Sequence, residues 1–139
     1  SNQVQFVSLH ADPNVVYPFF SGYAQEKGRD KGEGFTHNFP LAKGTGNGDY
    51  LEAFEKALMV IEDFDPQFLV ISLGVDIYEG DPLSTFCVTR EVFGTIGRLL
   101  GDTKFPLLFV QEGGYDLEEA VNCVANVLEG VMSIHPLIV

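Results

Sequence analysis

The sequence predicts an α/β fold of three layers built on a mostly parallel sheet, and three observations carry that expectation. Short apolar runs such as Leu69-Val70-Ile71 and Leu107-Leu108-Phe109-Val110 have the length and composition of buried strands. Segments with apolar residues at three- and four-residue spacing stand between them, which is the stripe of an amphipathic helix. Two of the runs end in loops rich in glycine and acid, Gly74-Val75-Asp76 and Gln111-Glu112-Gly113-Gly114-Tyr115. The C-terminal lip of a parallel strand is where α/β folds place ligands and metals.

Taken in order, residues 4–10 (Val-Gln-Phe-Val-Ser-Leu-His) read as the first strand. Residues 11–34 form a long irregular segment with Pro13, Pro18, Gly22, Gly28, Gly32 and Gly34, and with the aromatics Tyr17, Phe19, Phe20 and Tyr23. Connections of this length in compact domains are usually functional, and the aromatics argue against disorder. Residues 36–41 read as a short strand, and residues 44–48 as a turn. Asp49 with Glu52 has the spacing of a capping box, and the helix behind it places Tyr50, Phe54, Ala57, Leu58 and Ile61 on one stripe until Asp65-Pro66 ends it. Residues 68–73 form the next strand. Thr89 caps a second helix with Val92, Phe93, Ile96, Leu99 and Leu100 on its apolar face. Residues 107–110 form the last strand, and Asp116 with Glu119 caps a final helix whose expected stripe is Leu117, Val121, Val124 and Val127 or Leu128. Right-handed crossovers would put the loops after Leu9, Leu73 and Val110 on one sheet edge, so that His10, Asp76 and Tyr115 line it together.

At 139 residues, read as a single domain over 1–139, the chain can bury roughly two thirds of its unfolded surface. Eight basic against 20 acidic residues leave a net charge of -12, which disfavours a nonspecific grip on nucleic acid. That balance is compatible with a cationic substrate, although solubility is the simpler account. No apolar stretch approaches the ~20 residues of a membrane span. Cys87 and Cys123 have no CxxC partner, which argues against a thiolate zinc site and for a reducing, cytoplasmic setting. There is no GxGxxG after the first strand and no Walker motif, so a nucleotide-binding reading is poor.

Four motifs occur in a telling order: Val7-Ser8-Leu9-His10, Pro18-Phe19-Phe20-Ser21-Gly22, Ser72-Leu73-Gly74-Val75-Asp76 with Gly80-Asp81-Pro82, and Glu112-Gly113-Gly114-Tyr115. In order and spacing the chain resembles the C-terminal part of the zinc-dependent histone deacetylase and acetylpolyamine amidohydrolase family, with a truncated arginase/deacetylase-like fold. The wording of the Phe109–Tyr115 stretch is most similar to the acetylpolyamine branch. The resemblance implies that Asp76 is a zinc-binding aspartate and that Tyr115 is the catalytic tyrosine that hydrogen-bonds the substrate carbonyl. It implies that Phe20 and Gly114 line an acyl-chain tunnel, and that Ser8 and Leu9 stand at positions that help bind potassium. Asp81 belongs to the motif and is expected to order the loop that aims Asp76. His10 is expected to support or pack rather than ligate, His37 to be structural or solvated, and His135 to be exposed after the last helix.

The departures from the family pattern matter equally. The family's other zinc ligands form an Asp-x-His pair, and its general acid–base chemistry uses a His-His dyad. Here the histidines are His10, His37 and His135, no two adjacent, and no Asp-x-His occurs. Catalytic zinc sites use three protein ligands, and general acid–base help is worth ~10²–10⁴-fold. The expectation is therefore a deacetylase-family fragment, inactive or nearly so alone, that acts on acetylated lysine or polyamine amides when an N-terminal half completes it. The alternative is a non-catalytic, oligomeric binding or assembly module derived from a truncated deacetylase. In either case a homo-oligomer is expected to cover Phe19, Phe20 or the first strand.

Overall fold

The computed structural model describes residues 1–17 and 19–135. Pro18, within the second motif, lies outside the described residues. The chain divides into two compact units, Ser1–Asp65 and Pro66–Val139, each with its own pair of parallel strands. The fold class is α/β, as the alternation of apolar runs and amphipathic segments implied.

In the first unit β1 (Phe6–Ala11) pairs in parallel with β2 (Thr36–Leu41), Phe6 opposite Thr36 and Ala11 opposite Leu41. The segment between them contains one 3-10 turn, Asp30–Gly32, which the irregular reading did not anticipate. Helix α1 (Asn47–Phe64) packs on both strands and buries Tyr50, Ala53, Ala57 and Leu58. Phe64 meets Phe35 edge to face at 5.8 Å between ring centroids. The expected capping box is not formed. Gly46 is the N-cap, and Tyr50 donates its amide to the Gly46 carbonyl, so the helix starts before Asp49. Asp49 lies in the first turn, where a carboxylate faces the positive end of the helix, and Glu52 pairs with Lys56 at 2.6 Å. Asp65, left-handed at φ 52°, closes the helix as expected, with its amide on the carbonyls of Ile61 and Glu62.

In the second unit β3 (Leu69–Leu73), α2 (Arg90–Gly101) and β4 (Leu107–Gln111) form a parallel β-α-β unit, with Leu69 opposite Leu107 and Leu73 opposite Gln111. Helix α3 (Leu117–Ile134) follows. Thr89 is the N-cap of α2, but its hydroxyl bonds the Glu91 carboxylate, which holds that acid below the usual range. Asp116 caps α3 as predicted, accepting the Glu119 amide at 3.1 Å.

The apolar stripe of α3 is only partly the expected one: Val127 is buried as expected, but the rest of the stripe is rotated. Ala120, Cys123, Val127 and Gly130 are buried, whereas Leu117 and Val121 are exposed. Backbone proximity explains the rotation. Gly97 and Gly130 meet so closely that a Cβ on Gly130 would fall 2.9 Å from the Gly97 Cα. Two helices that touch through glycines are held at the glycine face, and small residues on that face outrank larger apolar ones beside it. The strands depart from expectation too. Val70 and Leu108, neighbours across the ladder, are 55% and 56% exposed, so this pair is not buried on both faces. The core of the unit lies on the other side, around Val75, Phe86, Val88, Phe93, Ile96, Leu100, Phe105 and Val127. Among the described residues no helix is long and apolar enough to cross a membrane.

Candidate functional site

The loops after β3 and β4 carry Asp76, Asp81, Gly113, Gly114 and Tyr115, all within the second unit. Parallel pairing sets them side by side. The Glu112 amide bonds the Leu73 carbonyl at 2.9 Å, and the Val75 amide bonds the Gly113 carbonyl at 2.8 Å, so the ladder continues past the strand ends. Asp76 follows at once. Its carboxylate lies against Gly113, where an added Cβ would overlap Oδ2 and fall 2.7 Å from Cγ. Gly114 has φ +148°, and a Cβ there would fall 2.6 Å from Val75 Cγ2 and 3.1 Å from the Ala120 Cβ. Its missing side chain therefore makes room for Val75 and Ala120 as well as permitting the backbone turn.

Asp81 is 6% exposed and accepts three backbone N–H groups. Oδ1 takes the Leu83 amide at 2.9 Å, and Oδ2 takes those of Tyr115 at 2.6 Å and Asp116 at 3.2 Å. A buried carboxylate is tolerated when hydrogen bonds replace its water, and amide donors at these distances do so. Tyr115 itself is 52% exposed, its side chain open to the surface while its backbone is tied down. Partial burial pushes the Asp76 carboxyl up from its ordinary value, and the negative charge of Asp81 adds to the effect.

The other predicted residues belong to the first unit. Ser8 and Leu9 lie on β1, opposite Asn38 and Phe39. His10 stands between two partners, Nδ1 at 2.8 Å from Ser8 Oγ and Nε2 at 2.8 Å from the Gly22 carbonyl. The carbonyl can only accept, so Nε2–H donates to it, and Nδ1 faces the serine hydroxyl. With both nitrogens engaged, His10 joins Ser8 on β1 to the Gly22 carbonyl. Gly22 has φ +97°, and its amide donates to Glu26 Oε2 at 2.9 Å. The Tyr23 hydroxyl donates to the Phe19 carbonyl, and Asn38 Nδ2 donates to the Tyr23 carbonyl. These bonds hold Phe19 at φ 62° and leave Phe20 91% exposed. His37 Nε2 lies 3.4 Å from Gln5 Nε2, and His135 is exposed at the end of α3.

Two relationships had no sequence signal: the fit of Asp76 against Gly113, and the bond from Tyr115 to Asp81 across more than thirty residues. The only hint was the pairing of an acid loop after one strand with a Gly-Gly-Tyr loop after the other. Among the described residues no group of three His, Cys, Asp or Glu side chains is placed to hold a metal ion. A cavity of about 270 Å³ between α2 and α3, lined by Gly94, Arg98, Asn126 and Glu129 among others, includes none of the predicted site residues.

Residues 1–131 match the family model described as the histone deacetylase domain, a match that spans both units. Acetylpolyamine amidohydrolase 1 of Pseudomonas aeruginosa is 43% identical over 129 residues, covering 93% of this chain and 37% of the relative. The acetylpolyamine amidohydrolase of Mycoplana ramosa is 44% identical over 128 residues, covering 92% of this chain and 38% of the relative. The crystal structure of an acetylpolyamine aminohydrolase from Burkholderia pseudomallei superposes with a TM-score of 0.93 at 35% identity, over 96% of this chain and 39% of that one. The chain thus spans somewhat over a third of the length of these relatives. On the domain match, the identities and the shared fold, this chain belongs to the histone deacetylase family, with acetylpolyamine amidohydrolases among its relatives.

Proposed function

We propose that this chain supplies part of a deacetylase-family amidohydrolase site, acting on acetylated lysine or acetylated polyamine amides in the cytoplasm, with both units serving one deacetylase-like domain. One observation carries the reading: Asp76 and Tyr115 are presented from adjacent parallel strand ends, the first seated against Gly113 and the second tied through its amide to Asp81. Tyr115 is the catalytic residue, its hydroxyl donating a hydrogen bond to the amide carbonyl oxygen as that oxygen takes on negative charge. Asp76 is a metal-binding carboxylate. Gly114 is an acyl-chain contact of the second unit; in the first unit Phe20 is an acyl-chain contact, and Ser8 and Leu9 stand at a potassium position.

The donor set of the chain does not fit a zinc site by itself. Asp76 is one carboxylate where catalytic zinc takes three protein ligands, and His10 has both ring nitrogens engaged. The isolated chain is therefore expected to be inactive or nearly so. The test is hydrolysis of an acetyl-lysine peptide and an N-acetylated diamine, by the chain alone and by the chain mixed with the remaining N-terminal portion of the Pseudomonas relative. Chelator-sensitive turnover in the mixture, lost in Tyr115→Phe, supports the reading. Efficient turnover by the chain alone refutes its incompleteness, and a bound but inert mixture refutes the catalytic role.

A second reading has its own observation. Val70 and Leu108 form an open apolar pair on β3 and β4, and Leu117 and Val121 are exposed on α3. Open apolar faces and strand edges favour self-association, which would make the chain a non-catalytic assembly module. A strictly monomeric chain by light scattering at micromolar concentration counts against it.

A further inference from the structure

We propose that Asp81 is a positioning residue for Tyr115: its buried carboxylate grips the tyrosine's backbone and so sets where the hydroxyl stands relative to Asp76. The inference rests on the reading of Tyr115 as the carbonyl-facing donor. One Asp81 oxygen takes the Leu83 amide two residues on. The other oxygen leaves that loop altogether. It reaches the amides of Tyr115 and Asp116, at the junction where β4 has ended and α3 has not begun.

That junction needs an external anchor. Gly113 and Gly114 precede it, and glycines give the backbone freedom that a catalytic side chain cannot tolerate. Gly113 is required by the Asp76 carboxylate and Gly114 by Val75 and Ala120, so neither position can be stiffened by a side chain. The Gly113 carbonyl is held by the Val75 amide, and the Tyr115 amide, one residue beyond the glycines, is where a side chain takes hold of the backbone. A carboxylate is the acceptor suited to the task, because it takes several N–H donors at once and its bonds are short and strong. Asp81 in turn is braced by its own amide on the Tyr78 carbonyl and its carbonyl on the Ser84 amide. Misplacing a reacting group by about 1 Å can cost on the order of 10²-fold in rate, so an anchor at this point has kinetic weight.

The experiment uses the ¹⁵N-labelled chain with ¹³C-labelled tyrosine, as wild type and as Asp81→Asn. The asparagine keeps the size but loses the charge and one acceptor. Expected is about tenfold faster exchange of the Tyr115 amide, with a shifted amide and ring signal for Tyr115, while Gly97 and Val127 at the α2–α3 crossing keep their exchange rates. Unchanged Tyr115 signals overturn the proposal. So does uniform loss of protection at Tyr115, Gly97 and Val127, which would make Asp81 a residue of general stability. Should Asp81→Asn fail to fold, a through-hydrogen-bond coupling between the Tyr115 amide nitrogen and the Asp81 carboxylate carbon is read in the wild type, and its absence overturns the proposal. In the completed enzyme Asp81→Asn lowers kcat about tenfold with KM nearly kept, and a KM effect alone overturns it. Tyr115→Phe separately tests the carbonyl-facing role, so failure of the clamp and failure of that role are told apart.

Discussion

Asp76 and Gly113 occupy what would be one side chain's space: the carboxylate of the first fills the volume that a Cβ on the second would take. An acid at one strand end and a glycine at the next are thus a matched pair, and the glycine is there for space. Gly113→Ala must push Asp76 aside or move the β4 loop. The expected cost is about 1–3 kcal/mol, the usual range for overpacking against a part-buried group, read as a lower urea midpoint at unchanged m. An alanine variant as stable as wild type, with its Asp76 signals unmoved, would show that the space is not needed.

Asp76→Asn is expected to stabilise the chain at neutral pH. Burial, and then the charge of Asp81, raise the Asp76 carboxyl above its ordinary 3.8, so the folded chain holds this proton more tightly than the unfolded chain does. The stabilisation from that preference is complete below the ordinary value and is lost as pH rises through the raised one. Above that window the ionised carboxylate is a net cost, which asparagine removes. Thermal melts from pH 3 to pH 7 should show the variant gaining on wild type as pH rises. A constant difference across that range would mean that Asp76 titrates normally.

Two glycines should respond to alanine with opposite signs. Gly130 faces backbone atoms of α2, with Gly94 O and the Gly97 Cα both too near to accept a Cβ, and Gly130→Ala should cost about 1–3 kcal/mol. Gly48, in the first turn of α1, has nothing within 4 Å of its missing Cβ, and Gly48→Ala should gain up to about 1 kcal/mol from helix propensity. Chemical denaturation of both variants checks the pair, and equal effects would contradict the packing.

The two thiols should react at very different rates. Cys87 is exposed, whereas Cys123 is buried, and burial, with Glu119 nearby, pushes its thiol up to about 11. At pH 8 one equivalent of a disulfide reagent should be consumed quickly, and the second should follow at least about a hundredfold more slowly, until denaturant is added. Two fast equivalents in the native chain would contradict the burial of Cys123.

Short apolar runs located strands such as Leu69–Leu73 and Leu107–Gln111, and apolar residues at three- and four-residue spacing located the α-helices, because burying an apolar surface leaves a local signature in the chain. Local chemistry also located the Asp116 cap and the stop at Asp65-Pro66. The misplaced start of α1 is informative: Asp49 and Glu52 have capping-box spacing, but Gly46 takes the cap and Lys56 takes Glu52. The face of α3 was only partly legible: Val127 was in the expected stripe and is buried, but large apolar side chains dominate a periodicity reading while two glycines decide which side touches α2.

What could be read from the residues was the class of fold, the order of its elements, and the acid and tyrosine at two strand ends, since each depends on neighbours near in the chain. The seat of Asp76 on Gly113, the reach of Asp81 to the Tyr115 amide and the open pair Val70 and Leu108 belong to the folded chain alone. They depend on contacts between residues far apart in sequence, and such contacts leave no spacing rule in the sequence itself.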